Sequence, residues 1–378
     1  MKKEARLPQL DALRGLAALS VFLGHAFGMM PQTPKLLQHI QFTPLHFFYD
    51  GAAAVLLFFV LSGFVLNLKY VSSQKNPPHW VSAFIIRRIF RIYPAFLIAV
   101  VLGLLLKEFV YDASAMAPFS DWFSKFWKNS LVPTEFLRML TLVGPNIQSD
   151  KLDPPMWSLV YEMRISLFFP LIIFMINRRR RLAGDMCLMA VAYAVCFFLC
   201  RKGSFIYLPH FMLGAMCAKH FDTLRSVLSK MNRLKKTVWL AIALLLYEAA
   251  SMGPAWSSTA FHVNYITDQI IGLGAASLIL GCASFVKIET LLSRGIFQFI
   301  GRTSYSFYLV HFMLLFAPAP AIYRATHSYA ITWLSTLALA YGISCLIFEL
   351  IEMPMIKQGN KFSKLFSTHF PPKASKII

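Results

Sequence analysis

Apolar residues run in long blocks along this chain, and polar residues are gathered into the intervals between them. The blocks lie near 7–30, 49–68, 92–111, 156–176, 186–200, 204–219, 237–252, 265–285, 298–317 and 330–350. A helix needs roughly 20 apolar residues to cross a bilayer, and most of these blocks reach that length. Those at 186–200 and 204–219 are the shortest. No ten-residue alternation of the kind a membrane barrel needs is present, and a helix satisfies its own backbone in lipid. The pattern predicts an all-α integral membrane protein of about ten transmembrane helices. The first block lacks a cleavage site followed by a polar domain, so it reads as the first span and not as a signal peptide.

Composition sharpens this picture. Of 378 residues, 57% are hydrophobic and 14% charged, with a mean hydropathy of +0.57. A soluble domain would be about one-quarter charged. The net charge of +20 invites a nucleic-acid reading, but its distribution opposes one. With the N-terminus and its Lys2, Lys3 and Arg6 placed in the cytoplasm, about 26 of the Lys and Arg residues fall inside and about nine outside. The inner set includes Lys69, Lys75, Arg87, Arg88, Arg91, the run 178–181, the 219–236 cluster, Lys287, Arg294 and Arg302. Both termini are therefore expected in the cytoplasm, with an inner face attractive to anions, whether lipid headgroups or a phosphorylated substrate. Residues 1–356 read as one multispanning domain and 357–378 as a basic cytoplasmic tail. The interval 112–155 lies outside, and Trp122, Phe123, Phe126 and Trp127 with the patch 136–143 point to short interfacial helices there. The six cysteines sit in or beside apolar blocks without framework or ligand spacing, and the ten histidines form no metal motif, so no metal is expected.

Ionisable groups inside apolar blocks are costly and mark function or a packing role. Arg14 and His25 are eleven residues apart, nearly three helical turns, so they share one face about 16 Å apart along the axis. Asp11 is one turn before Arg14 and can pair with it. Asp50 falls at a depth similar to His25, as an orienting acid or as an interfacial aspartate. In "RRIFRIYP", Arg87, Arg88 and Arg91 form either a phosphate grip or a topology signal, with Arg88 and Arg91 on one face. Ser158, Glu162 and Ser166 share a face at intervals of four, whereas Glu162 and Arg164 do not. His311 and Glu352 lie within and at the inner end of the last two blocks.

Taken in order, these segments resemble the membrane-bound acyltransferase-3 family, which includes bacterial sugar and polysaccharide O-acyltransferases. The resemblance rests on Arg14 and His25 with ten residues between them, and on 58–64 ("FFVLSGF") with Ser62. It continues through the arginine cluster ending in Tyr93 and Pro94, and Trp157, Ser158, Leu159, Glu162 and Pro170. Ser304, Tyr305 and Ser306 leading to His311, then Glu352 and Pro354, complete it. Two positions depart from the family pattern. Leu56 stands where an acid is common, and Met163 to Ser166 where Glu-Gln-Phe-Tyr is common.

The resemblance implies transfer of an acyl group, acetyl at family level, from cytoplasmic acyl-CoA to a hydroxyl of a glycan or lipid-linked sugar. It places the protein in the bacterial inner membrane. Acyl-CoA is then a substrate, and no tightly bound cofactor is implied. The expected catalytic set is His25, Arg14, Glu162 and Asp50, with Arg87, Arg88, Arg91 and Arg302 toward the donor. His25 acts as a base on the hydroxyl or as an acyl carrier. The alternatives are a transporter or flippase of a glycan precursor, which also explains midplane charges and basic loops, and a non-catalytic partner in glycan export. Membrane lipids are expected neighbours, and an oligomer is compatible with the sequence.

Overall fold

The computed structural model describes residues 7–32, 39–40, 43–71, 80–145, 147–178, 182–199, 203, 205–249 and 261–369. Lys2, Lys3, Arg6, Lys75, most of the run 178–181 and the end of the basic tail lie outside these residues. The described residues are overwhelmingly helical and contain no strand. In chain order the helices are α1 (Pro8–Gly28), α2 (Gly51–Val71), α3 (Trp80–Phe109), α4 (Pro133–Thr141), α5 (Met156–Arg178), α6 (Leu182–Leu199), α7 (Leu208–Lys219) and α8 (Phe221–Ser229). There follow α9 (Arg233–Tyr247), α10 (Phe261–Ser284), α11 (Val286–Leu292), α12 (Gly295–Phe316), α13 (Pro318–Thr326), α14 (Tyr329–Ile347) and α15 (Met353–His369).

Every apolar block forms a helix, but not every helix is a span. Among the described residues, seven are long and apolar enough to cross a membrane, α14 and α15 counting as one, or eight if the pair α12 and α13, bent by 50°, is one span. The chain is a multi-pass membrane protein with this smaller number of self-evident crossings. The reason is length. The block 204–219 yields only the 12 residues of α7, and 237–252 only the 15 of α9. At 1.5 Å per residue, neither covers a ~30 Å hydrocarbon layer.

Helix ends follow local chemistry. Pro8 begins α1, and Asp11 in its first turn faces the positive helix pole. Asp50 Oδ1 accepts from Ala53 N (2.9 Å) and caps α2. Pro318 starts α13, where the bend occurs. Phe348–Glu352 is a π-helical turn that joins α14 to α15 in one continuous helix, of which the 37 residues Tyr329–Leu365 form a candidate span. α14 packs on α12, while α15 packs on α3.

Two glycine contacts set how closely the central helices approach. A Cβ on Gly15 of α1 would stand 2.6 Å from the Ile300 carbonyl carbon, and one on Gly301 of α12 would stand 2.5 Å from Asp11 backbone atoms. Gly63 of α2 and Gly214 of α7 are likewise at close backbone contacts: a Cβ on Gly63 would stand 1.9 Å from Phe211 O, and one on Gly214 1.9 Å from Val60 O. Close contact of small residues substitutes here for the hydrophobic driving force that lipid removes. It also presses the Arg14 stripe of α1 against α12, which carries Tyr305 and His311.

The interval 112–155 forms short helices as expected, but its aromatics turn inward. Phe123, Phe126 and Trp127 are buried, with Phe123 and Trp127 against Phe316. Trp122 stays partly exposed. Ser120 ties this segment to the end of α1 through Gly28 O (Oγ, 2.6 Å) and Met29 O (N, 2.9 Å). It is a cover packed on the bundle, with Phe123, Phe126 and Trp127 against Phe312 and Phe316 of α12.

Candidate functional site

A cavity of about 1080 Å³ opens at the end of the bundle where α1 begins and α2 finishes. Its lining brings together Asp11, Arg14, Ser62, Arg87, Arg88, Arg91, Ser158, Glu162, Arg302, Tyr305 and Glu352. These come from six stretches of sequence, so the segments singled out above converge on one place. Seven Lys or Arg residues face four Asp or Glu residues around it. That excess favours an anionic ligand, and guanidinium groups suit phosphates.

The three clustered arginines differ in their partners. Arg88 is buried; its Nη2 donates to Glu162 Oε1 (2.6 Å) and Ser166 Oγ (2.8 Å). Ser62 Oγ donates to the same Glu162 oxygen (3.1 Å). The stripe of Ser158, Glu162 and Ser166 is therefore real, and Arg88 is tied to it through Nη2 while still lining the cavity. Arg87 bonds Tyr70 OH (2.9 Å) and Ser363 Oγ (3.2 Å), which anchors α3 to α2 and α15. Arg91 and Arg302 line the cavity and make no side-chain hydrogen bond or ion pair among the described residues. Arg88 and Arg91 share a face on α3 and both line the cavity, but they differ in partners: Arg88 is held by Glu162, 74 residues away.

Arg14 pairs with Asp11 (3.2 Å) as the one-turn spacing predicts. Glu352 lies in the π-helical turn, buried, and accepts from Ser306 Oγ (2.8 Å). An extra residue in a helical turn often marks a functional site. Tyr305 donates to Ile92 O (2.8 Å). Trp157 stands apart, over Tyr161 and Tyr207. Arg164 turns away from Glu162 to Gly144 O.

At the deep end of the cavity the Ser158 and Tyr308 hydroxyls meet (2.7 Å), and Tyr308 OH also donates to Pro155 O (3.2 Å). Beyond this layer lie the histidines. The His25 and His311 rings are 5.4 Å apart between centroids and 21° from parallel. Tyr308 touches His311 on one side and Phe58 on the other. On the far side Trp122 lies over His25 at 5.8 Å and 10°, with Phe312 edge-on at 4.9 Å. The cover segment therefore closes over the candidate catalytic histidine. Trp122 was legible in the sequence only as an interfacial aromatic.

Asp50 does not serve His25. Its carboxylate caps α2 and faces His46 Nδ1 (3.5 Å), which also stands 2.8 Å from Glu248 Oε2. Burial pushes the Asp50 carboxyl upward. Burial alone would lower His46, but the Glu248 hydrogen bond and the charges of Asp50 and Glu248 outweigh it and raise its pKa. These three are the group of metal-ligating side chains that the described residues bring together. Two ligands of one tetrahedral zinc stand about 3.3 Å apart, so the 2.8 Å contact is a hydrogen bond in an ion-paired clasp. His25 itself has ring contacts but no hydrogen bond among the described residues.

A helical membrane bundle with an anion-attracting cavity ending one side chain short of a histidine pair is the outline of a group-transfer enzyme. The family model described as Acyltransferase domain (Acyl_transf_3) matches residues 7–349, and the chain belongs to this family. It is an O-acyltransferase, and the transport and assembly-partner readings fall away. The chain is 28% identical over 334 residues to "Acyltransferase MdmB" of Streptomyces mycarofaciens, covering 82% of this chain and 79% of that protein. No solved structure matches it.

Proposed function

We propose that the chain transfers an acyl group, acetyl in the simplest case, from acyl-CoA to a hydroxyl of a glycan or lipid-linked sugar. The observation that supports this reading most is the continuity of the cavity: free guanidinium groups at its mouth, and the His25–His311 pair one layer beyond its floor. Arg91 and Arg302 hold the donor's phosphates, with Arg87 at the edge. Arg14, steadied by Asp11, faces the thinner acyl-bearing arm as it descends. Glu162, fixed by Arg88 and Ser62, shapes the wall beside it. Movement of Tyr308 admits the thioester to His25, which acts as base on the attacking hydroxyl or carries the acyl group itself. The charged end faces the cytoplasm, where acyl-CoA is made, and the covered end faces outward in a bacterial inner membrane.

Purified protein given radiolabelled acetyl-CoA and membrane glycolipid is the direct test. Label should pass to a sugar in the wild type and not in His25→Ala. A wild type that neither binds acetyl-CoA nor releases CoA refutes the reading.

A further inference from the structure

His311 is fully buried in α12, and its two ring nitrogens have different fates. Nδ1 stands 2.8 Å from the carbonyl oxygen of Tyr308. A carbonyl only accepts, so Nδ1 carries the hydrogen. Nε2 then holds a bare lone pair. It is enclosed and has no hydrogen-bond partner among the described residues. A charged ring would instead place a second N–H beside Phe22, Phe307 and Tyr308 with no acceptor bonded to it among the described residues. Buried acceptors without partners are rare and costly, and they call for a missing donor.

The neighbouring ring says what that donor is. His25 lies 5.4 Å away, nearly parallel. Rings this close bring an oxygen that attacks an acyl group carried on His25 within a few ångströms of His311. A histidine that acts as base is normally held in one tautomer by a bond to its other nitrogen. His311 has that bond; His25 has none among the described residues. His25 is the better carrier, and His311 the better base.

Resting on the reading of His25 as the residue that meets the thioester, we propose that His311 Nε2 is the proton shuttle of the second half-reaction. In the first half, a His25 nitrogen attacks the thioester carbonyl and the C–S bond breaks. The imidazole N–H proton leaves with CoA as its thiol, and an acyl-imidazole remains. In the second half, the acceptor hydroxyl oxygen attacks the acyl carbon and its proton passes to His311 Nε2. The C–N bond to His25 breaks, and His311 returns the proton to the departing His25 nitrogen. Both rings end as they began, and the Tyr308 carbonyl faces the transient positive charge on His311.

The test separates the two halves. Detergent-purified protein is mixed rapidly with excess acetyl-CoA, and free CoA thiol is followed without acceptor and then with octyl glucoside as the sugar hydroxyl. His311→Asn keeps a donor where Nδ1 sits and removes Nε2. We expect it to retain the wild-type burst of about one CoA per chain while turnover onto octyl glucoside falls about 10²–10⁴-fold. His25→Ala should lose both. His311→Gln, which restores an acceptor near Nε2 without basicity, should keep the burst and stay slow. Turnover of His311→Asn within threefold of wild type overturns the proposal. So does loss of the burst in a variant with an unchanged melting temperature, or a wild type that turns over with no burst. Absence of any CoA release from the wild type refutes the underlying acyl-transfer reading instead.

Discussion

Arg88→Ala removes one half of a buried ion pair, and its cost can be worked from the contacts. Arg88 Nη2 reaches Glu162 Oε1 at 2.6 Å with side-chain exposures of 8% and 24%. Breaking such a pair leaves an uncompensated charge and costs about 3–5 kcal/mol; the partial exposure of Glu162 places it near about 3 kcal/mol. Loss of the bond to Ser166 adds about 1 kcal/mol. At about 2 °C per kcal/mol for a long chain, the melting temperature in detergent should fall by about 6–8 °C. The double variant Arg88→Ala with Glu162→Gln carries no orphan charge and should recover most of that loss while remaining inactive. Thermal melting of the four proteins completes the cycle. A double variant as unstable as Arg88→Ala alone would refute the charge argument and assign the loss to packing of the arginine stem.

Arg91→Ala and Arg302→Ala should melt like wild type yet weaken acyl-CoA binding about tenfold to a hundredfold each, read by titration calorimetry, because a charge-assisted hydrogen bond is worth about 1.5–3 kcal/mol. Gly301→Val should not accumulate as folded protein, since its Cβ would overlap the Asp11 backbone; yield of monodisperse protein reads this. The raised His46 group contributes stability that is full below its ordinary value of 6.5 and is lost as pH rises through its higher folded value. The melting temperature should therefore fall on going alkaline, and His46→Gln should flatten that fall. Burial holds the Asp153 carboxyl well above the usual range, so its contribution is likewise present at low pH and lost as pH rises. Asp153→Asn should be at least as stable as wild type at neutral pH.

What the sequence revealed was what repeats along a helix. Arg14 and Asp11, or Ser158 with Glu162 and Ser166, are neighbours by spacing alone, and the structure keeps them so. What it concealed was the assignment of partners across the bundle. Asp50 and His25 agree in depth, yet Asp50 turns to His46 and, through it, to Glu248, 202 residues from His46. Arg88 and Arg91 agree in face, yet one is held by Glu162 and Ser166 and the other makes no side-chain hydrogen bond among the described residues. The cover of Trp122 on His25 depends on a segment whose composition says only that it is aromatic and irregular. The spacing of His25 and His311 on separate helices gives no hint that their rings meet; that depends on backbone contact at Gly15 and Gly301.

The π-helical turn at Phe348–Glu352 also has a bearing on how this chain tolerates change. One surplus residue rotates everything after it by about 100° relative to an unbroken α-helix. Before the turn the rod belongs to α12; after it, Gly359 and Phe362 meet Phe90 of α3. Deleting the exposed Leu350 would remove no buried side chain, yet it would swing Glu352 off Ser306 and turn Gly359 away from α3. A single-codon deletion there should thus be as damaging as loss of a core residue, whereas substitution of Leu350 by another helix-forming residue should pass unnoticed. The segment carries its information in the number of its residues more than in their identity.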